Sequence, residues 1–468
     1  MPHTVKETVK EDHAMPEYKI HAEIDKSIYT RPAELLQQLI RFDTTNPPGN
    51  ERECISYISH LLNAWEIETH LFSKDPHRPN LVARLKGKNP DAEPLLLYGH
   101  ADVVTSGNEN WTHPPFSGEI ADGFVWGRGA LDMKGALTMM ICSFIKAKVE
   151  NTELPGDVIL CILSDEEEYG EFGAQFMVEN HPDLFKGVHY ALGEFGGFSL
   201  NVSGKKFYPI EIAQKQKCIM RVILKGSSAH GSSVMQGGAM SKLAALLEKL
   251  DKNLLPVHIT PAVEKMFKGM TAALPFPNGF ILRQILKPRL TDSILKILGD
   301  KGKSFAPLFR NTINATIIRT GDKINVIPGE VEVNFDVRIL PGFNPNDVIN
   351  ELRPIIGDDI TLEVLLYDKG PGEADMTQFE MLSKIIKELD PEGIPVPFIL
   401  PGSSDARFFS KLGIRTYGFT PMNLPENLNF NRTIHSVDER IPIDTLEFGT
   451  RGIYKVMVQG IFAGNKKK

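Results

Sequence analysis

Apolar and polar positions alternate along this chain in two periods, one helical and one of strands, and the mixture changes character twice. Over Arg31 to Arg41, Leu35, Leu36, Leu39 and Ile40 share one helical face, with Thr30 as a cap and Pro32 in the first turn. A loop from Asp43 to Asn50, holding Pro47, Pro48 and Gly49, separates this helix from a second over Glu51 to Trp65. Short β-rich runs at Ile67–Phe72 and Leu81–Leu85 lead to Pro94–Tyr98, whose consecutive leucines predict a strand buried on both faces. A helix over Lys134–Val149, a strand over Asp157–Leu163, a helix over Phe172–Asn180 and a strand over Tyr190–Leu192 continue the alternation. This is the pattern of an α/β domain with a largely parallel sheet.

Near Gln214 the pattern turns over. Strands at Cys218–Lys225, Thr312–Arg319, Val331–Ile339 and Ile360–Leu366, with helices at Ala239–Leu250 and Asn346–Ile356, predict a β-α-β-β-α-β unit of the ferredoxin-like split kind. From about Phe379 the α/β character returns, with helices at Met381–Leu389 and Pro442–Phe462. The smaller unit, residues 214–372, thus reads as inserted into a larger domain built from 1–213 and 373–468. A stretch rich in Leu, Ile, Phe and Lys, residues 256–310, reads as an insertion within the smaller unit.

The 468-residue length suits this division into two domains. A hydrophobic content of 42%, a charged content of 24% and a net charge of -7 describe an ordinary globular protein and give no basis for nucleic-acid binding. The lysine cluster Lys466, Lys467 and Lys468 reads as a solvated tail. The segment Met1 to Glu23 lacks the apolar stretch of a secretory signal, and no run approaches the ~18 apolar residues of a membrane span, so a soluble, cytoplasmic protein is expected. Cys54, Cys142, Cys161 and Cys218 show no CxxC spacing and read as buried free thiols.

The chemistry gathers where predicted strands end. His100 and Asp102 follow one buried strand, Asp165, Glu166 and Glu167 the next, and Glu194 a third; Asp132 sits in a glycine-rich approach to a helix. Each alone has a plain explanation: chance for a His-x-Asp, a solvated turn for Asp-Glu-Glu, an N-cap for Asp before a helix. Open α/β sheets, however, bind ligands beyond the carboxyl ends of their strands, so these side chains should share one crevice. Carboxylates brought together there repel unless a cation neutralises them. Mixed His and carboxylate donors suit zinc better than calcium or magnesium, and manganese or cobalt fit the same set.

The segments Gly99-His100-Ala101-Asp102, Gly127-Arg128-Gly129 through Asp132-Met133-Lys134-Gly135, Asp165-Glu166-Glu167, Glu194, Ala229-His230-Gly231, Asn325-Val326-Ile327-Pro328 through Arg338, and Thr433-Ile434-His435-Ser436 together resemble the M20 metallopeptidases. The resemblance runs in the family's order over nearly the whole chain. It implies a zinc-exopeptidase-like α/β catalytic domain with an inserted ferredoxin-like α+β lid or dimerisation domain. It implies two divalent metal ions bridged by Asp132, with His100 and Glu194 completing one site and Glu167 and His435 the other. Asp102 would orient His100, Glu166 would act as general base, and the Asp132–Met133 peptide would be cis. His230, Asn325 and Arg338 would bind substrate, the histidine reaching a neighbouring subunit of a homodimer, and Gly402 lies in a loop like the one bordering the family's substrate pocket. Without the family pattern His230, Asn325 and Arg338 read as an ordinary loop residue, a turn residue before Pro328 and a solvated strand residue.

Relatives that act as aminopeptidases or dipeptidases often place an aspartate where this chain has Glu194. The resemblance therefore favours an N-acyl-amino-acid deacylase or carboxypeptidase-type amidohydrolase. A dipeptidase, or a non-catalytic relative serving as a binding module, are the alternatives. The apolar stretch 256–310 fits either contact with a hydrophobic substrate or packing against its own domain or a dimer partner.

Overall fold

The computed structural model describes residues 24–107 and 109–460. The polar lead-in Met1 to Glu23, the terminal lysines and the last residues of the expected final helix lie outside the described residues. Among the described residues a nine-stranded sheet forms the larger unit, and its centre is parallel: Val158–Leu163, Leu95–His100, Tyr190–Gly193 and Arg415–Gly418 lie side by side. The strands Leu95–His100 and Val158–Leu163 are buried at every position, which is why they read as unbroken apolar runs. Helices cover both faces. Lys134–Val149, apolar nearly all round, is buried on most of its surface and packs against Ile443–Gln459. It can come this close because residue 99 is glycine: a Cβ there would lie 2.4 Å from Met133 Cε.

Towards its edges the sheet departs from the expected parallel order. Asn80–Leu85 runs antiparallel to Val158–Leu163, and Thr69–Phe72 antiparallel to Asn80–Leu85. Lys205–Gln214 and Ile394–Leu400 form a further parallel pair at the other edge. Neither of these two strands, nor Arg415–Gly418, was legible as a strand. Glu211 and Gln214 interrupt the first, and Pro395 and Pro397 break the second, as proline does in a central strand. Ile394–Leu400 is an edge strand, where a missing N–H costs little. At the N-terminus the expected Thr30 cap does not form: the cap position is Arg31, and the Thr30 hydroxyl donates to the Ser27 carbonyl.

The smaller unit follows its strict period-two pattern. Four antiparallel strands stand in the order Thr312–Thr320, Glu330–Ile339, Gln216–Lys225, Glu363–Asp368. Cys218, Met220, Val222 and Leu224 pack with Val331, Val333, Phe335 and Val337 under the helices Ala239–Lys252 and Pro345–Ile356.

The apolar stretch 256–310 is helical and does not join that core. Its helix Pro261–Ala273 lies on the edge strand Ile394–Leu400, and Val263, Met266, Phe267 and Met270 belong to the hydrophobic core of the larger unit. Phe267 meets the rings of Phe305 and Phe309 at 5.4 and 5.1 Å. The reading of this stretch as part of the smaller unit is corrected by its packing. The helices Ala239–Lys252 and Pro345–Ile356 already cover one face of the smaller sheet, while an exposed edge strand of the larger sheet invites cover. Phe267→Ala should therefore destabilise the larger unit by about 3–5 kcal/mol, the cost of emptying a well-packed aromatic site. Denaturant unfolding followed by tryptophan fluorescence checks this, since all three tryptophans, Trp65, Trp111 and Trp126, lie in the first third of the chain.

Candidate metal centre

Strand register decides where the chemistry sits. His100 ends its strand opposite Leu163, the last residue of the neighbouring strand, so Asp165, Glu166 and Glu167 leave the sheet beside it. On the other side Leu97 pairs with Leu192, and Glu194 emerges two residues later at the same edge. Asp132 arrives from the loop before helix Lys134–Val149 through a cis Asp132–Met133 peptide. His435, with a left-handed φ of 58°, closes the group from the turn after Phe430–Thr433.

Asp132 stands at the centre, with Oδ1 3.3 Å from His100 Nε2 and Oδ2 3.1 Å from His435 Nε2. His100 Nε2 is 3.2 Å from Glu194 Oε2, and His435 Nε2 is 3.3 Å from Glu167 Oε1. His100, Asp132 and Glu167 each offer a donor atom within 4.8 Å of the others, and so do His100, Glu166 and Glu194. The five residues expected as ligands thus come together, with Glu166 beside them. His435 is the outward member, its side chain 43% exposed while those of His100, Asp132, Glu167 and Glu194 are buried.

Several residues that frame this cluster carried no signal in the sequence. Asp102, next to His100, accepts on its carboxylate the main-chain N–H groups of Glu166 and Glu167, each at 3.1 Å, and the side-chain amide of Asn46 at 2.9 Å. The nearest partner of His100 Nδ1 is the Asp102 carbonyl oxygen at 3.0 Å, with the carboxylate at 3.4 Å, so the expected carboxylate contact is shared with the main chain. Asp165 points away from the donors to Arg78, which also pairs with buried Glu51. Glu439 accepts the N–H groups of Leu131 and Asp132 on one oxygen and the Arg128 guanidinium on the other. Asn46 hides among turn residues, and Glu51, Arg78 and Glu439 look like solvated charges until their burial is seen.

The electrostatics are those of a site that needs positive charge. Burial, with Glu166 next in weight, pushes the Glu194 carboxyl well above its ordinary range; burial also raises Glu166. Burial and then Asp132 push Glu167 up to about 8. Burial works against a proton on His100, but hydrogen bonds to Asp102, Asp132 and Glu194 prevail and raise it well above its usual value. Asp132 and Glu167 raise His435 to about 10. For Asp132 burial alone would raise the carboxyl, but His100 and His435 hold it below its usual range. Glu167 Oε1 and Glu194 Oε1 are buried and accept no hydrogen bond. Unsatisfied carboxylate oxygens facing imidazole nitrogens are the donor set of a hard or borderline divalent cation, so the residues fit the metals that the resemblance implies.

The remaining expected site residues lie apart from this cluster. His230 is exposed and bonds Ser232 Oγ at 2.8 Å, and Asn325 is exposed, its carbonyl accepting the Gly231 N–H. Arg338 is not a solvated strand residue: it grips Asp336 with Nε and Nη2 and donates through Nη1 to Ser403 Oγ at 2.9 Å. That bond joins the smaller unit to the loop holding Gly402.

Residues 96–459 match the family described as Peptidase family M20/M25/M40. The chain is 28% identical to the probable carboxypeptidase S-like 2 of Dictyostelium discoideum, over 78% of this chain and 71% of that protein. It is also 28% identical to the N-fatty-acyl-amino acid synthase/hydrolase PM20D1 of Homo sapiens, over 86% of this chain and 78% of that protein. The fold resembles that of an M20 family metallo-carboxypeptidase from Sulfolobus solfataricus, with a TM-score of 0.65 and 18% identity over 93% of this chain and 99% of that one.

Metals bind deprotonated donors, so protons and cations compete for this cluster. In metal-free protein, Glu167 (raised from 4.5 to about 8) and His435 (raised from 6.5 to about 10) bind more protons folded than unfolded, and their stabilising contribution declines as pH rises through those windows. The stabilisation conferred by added Zn²⁺ should therefore grow from about pH 6 to about pH 8, with protons released on binding. Thermal melts of chelator-treated protein with and without metal measure this, and a gain in Tm that shrinks with rising pH would contradict it.

Proposed function

The chain belongs to peptidase family M20/M25/M40, and from that premise we propose that it is a two-metal amidohydrolase that cleaves the amide of an N-acyl-amino acid or short peptide, with Glu166 as general base. The observation that carries the reading is the position of Glu166, within 4.8 Å reach of His100 and Glu194 and with its N–H fixed by Asp102. In this reading Asp132 would hold the ions together with His100 and Glu194 on one side of it and Glu167 and His435 on the other. Zinc is the first choice, with cobalt or manganese able to use the same donors. When bound, the ions supply Lewis acidity and offset the clustered negative charge.

Glu166 takes a proton from the attacking water, whose oxygen bonds to the scissile carbonyl carbon. As the C–N bond breaks, the same carboxyl hands the proton to the leaving nitrogen, giving an acid and an amine in balance. A carboxyl raised by burial suits a group that must both accept and return a proton near neutral pH. Arg338 receives the substrate carboxylate in exchange for its Asp336 partner, beside Ser403 and Gly402. The relatives' names, a carboxypeptidase and an N-fatty-acyl-amino acid synthase/hydrolase, support an acylated amino group on the substrate.

The same reading takes the smaller unit, 214–372, as a lid and dimerisation domain whose His230 and Asn325 serve a neighbouring copy's site. Both edge strands of its sheet support this, since Ile317, Ile318, Leu365 and Leu366 are each more than 40% exposed. Among the described residues no helix is long and apolar enough to cross a membrane, and the four cysteines are free and buried, which supports a cytoplasmic setting.

Glu166→Gln should lower kcat on N-acyl-amino acids by about 10²–10⁴-fold while metal content, measured by elemental analysis, stays at the parent's level. Turnover equal to the parent's would remove Glu166 from the mechanism. Failure of the parent on every N-acyl compound, beside rapid dipeptide hydrolysis, would make it a dipeptidase instead.

A further inference from the structure

We propose that the outer face of the helices Asn278–Arg283 and Pro288–Ile297 docks this protein onto an anionic lipid bilayer. Phe276 and Phe280 are the exposed phenylalanines among the described residues, 85% and 62% open to solvent. Their ring centroids lie 6.4 Å apart, so they form one aromatic pair at the surface, and Ile281 extends it along the first helix. On the second helix Leu290 and Ile297 are exposed as well, and they stand roughly two turns apart on one face. The inner residues of both helices and of the short link between them, Leu282, Ile285, Ile294 and Leu295, all belong to the core of the larger unit. Both outer faces therefore turn away from the same core. Large apolar side chains scattered singly are ordinary at a surface, whereas a run of them on adjoining helices marks a docking face.

The charges on this face select the partner. Arg283, Lys287, Arg289 and Lys296 are exposed, and among the described residues none of the four has an acidic partner. The acids of the same stretch are engaged elsewhere: Asp292 pairs with the buried guanidinium of Arg310, and Asp300 with Lys303 and Arg432. The chain as a whole carries a net charge of -7, so this local excess of positive charge runs against the overall balance and turns these helices toward a negative surface. Arg289 directly precedes Leu290, and Lys296 directly precedes Ile297. The apolar centre of a protein–protein interface excludes such interleaved charge, lysine above all. A bilayer accommodates it, because the apolar side chains enter the headgroup boundary while the long stems of lysine and arginine reach back to the lipid phosphates. The contact is peripheral, since no helix among the described residues is long and apolar enough to cross a membrane. The cytoplasmic leaflet carries the anionic lipids such a face requires.

The test mixes the full-length protein with vesicles of phosphatidylcholine alone, or of phosphatidylcholine with phosphatidylserine, and separates bound protein by flotation. Binding to the anionic vesicles should be at least about tenfold tighter than to the neutral ones and should weaken as salt is added, since each cation near such a surface contributes about fivefold. Lys287→Glu with Arg289→Glu should lower binding to the anionic vesicles by about 25-fold or more. Phe276→Ser with Phe280→Ser should lower it at least about tenfold, and Ile297→Ser, on the neighbouring helix, about fivefold as an independent check. All these positions are exposed, so Tm should stay at the parent's value. No binding to either vesicle, equal binding to both, or variants that bind as the parent does would overturn the proposal. Self-association of the parent in sedimentation velocity that Phe276→Ser with Phe280→Ser abolishes would overturn it too, because the face would then meet a second copy of the chain. None of these residues belongs to the donor cluster, so each of these failures leaves the amidohydrolase reading in place.

Discussion

Five carboxyl groups, those of Asp102, Asp132, Glu166, Glu167 and Glu194, crowd around His100 and His435 at one edge of the central sheet, and almost all are buried. Their mutual repulsion in a poorly hydrated place is the constraint to which the surrounding structure answers. Positive charge must be present for the cluster to exist. In the metal-free chain protons relieve the repulsion, on the imidazoles of His100 and His435 and on the carboxyls of Glu166, Glu167 and Glu194, all of which bind a proton more readily than usual. Cations and protons therefore occupy one thermodynamic position in this site, and the fold holds the donors ready for either.

Holding them ready needs a second layer of fixed charge. Asp102 spends its lone pairs on the backbone that carries Glu166 and Glu167, while Glu439 does the same for the backbone that carries Asp132. Arg128 and Arg78 neutralise the acids of this layer at Glu439, and at Glu51 with Asp165. Buried ion pairs of this kind add little net stability over apolar packing, but removing one partner strands the other. Their value here is positional. Because Glu439 lies four residues after His435 and binds the loop of Asp132, one contact sets the distance between two halves of the donor set that are about 300 residues apart in sequence. The packing of Lys134–Val149 on Ile443–Gln459 does the same on a larger scale, so the site forms only when the first and last parts of the chain fold together.

How much of this was legible beforehand follows from which signals are local. The buried strands Leu95–His100 and Val158–Leu163 and the helix Lys134–Val149 are long and periodic, and their positions could be read directly. The smaller sheet announced itself through alternation. The inner donor set was legible because strand ends are where α/β sheets place ligands, and because the whole pattern resembles a family. What stayed hidden depends on three-dimensional neighbours. Nothing in the sequence around Asn46, Arg78 or Glu439 distinguishes a buried, fully bonded charge from a solvated one. Pro395 and Pro397 argue against a strand unless one knows that Ile394–Leu400 lies at the edge of its sheet.

The stretch 256–310 shows why order along the chain and order in space can part company. It enters and leaves within the smaller unit, yet one face of that unit's sheet is already closed by Ala239–Lys252 and Pro345–Ile356. The larger sheet ends in a strand with an unpaired edge and apolar side chains, Val396 and Ile399 among them, on which the helix Phe379–Leu389 also packs. A helix bearing Val263, Met266, Phe267 and Met270 buries most where such surface is free, so hydrophobic burial draws the segment across.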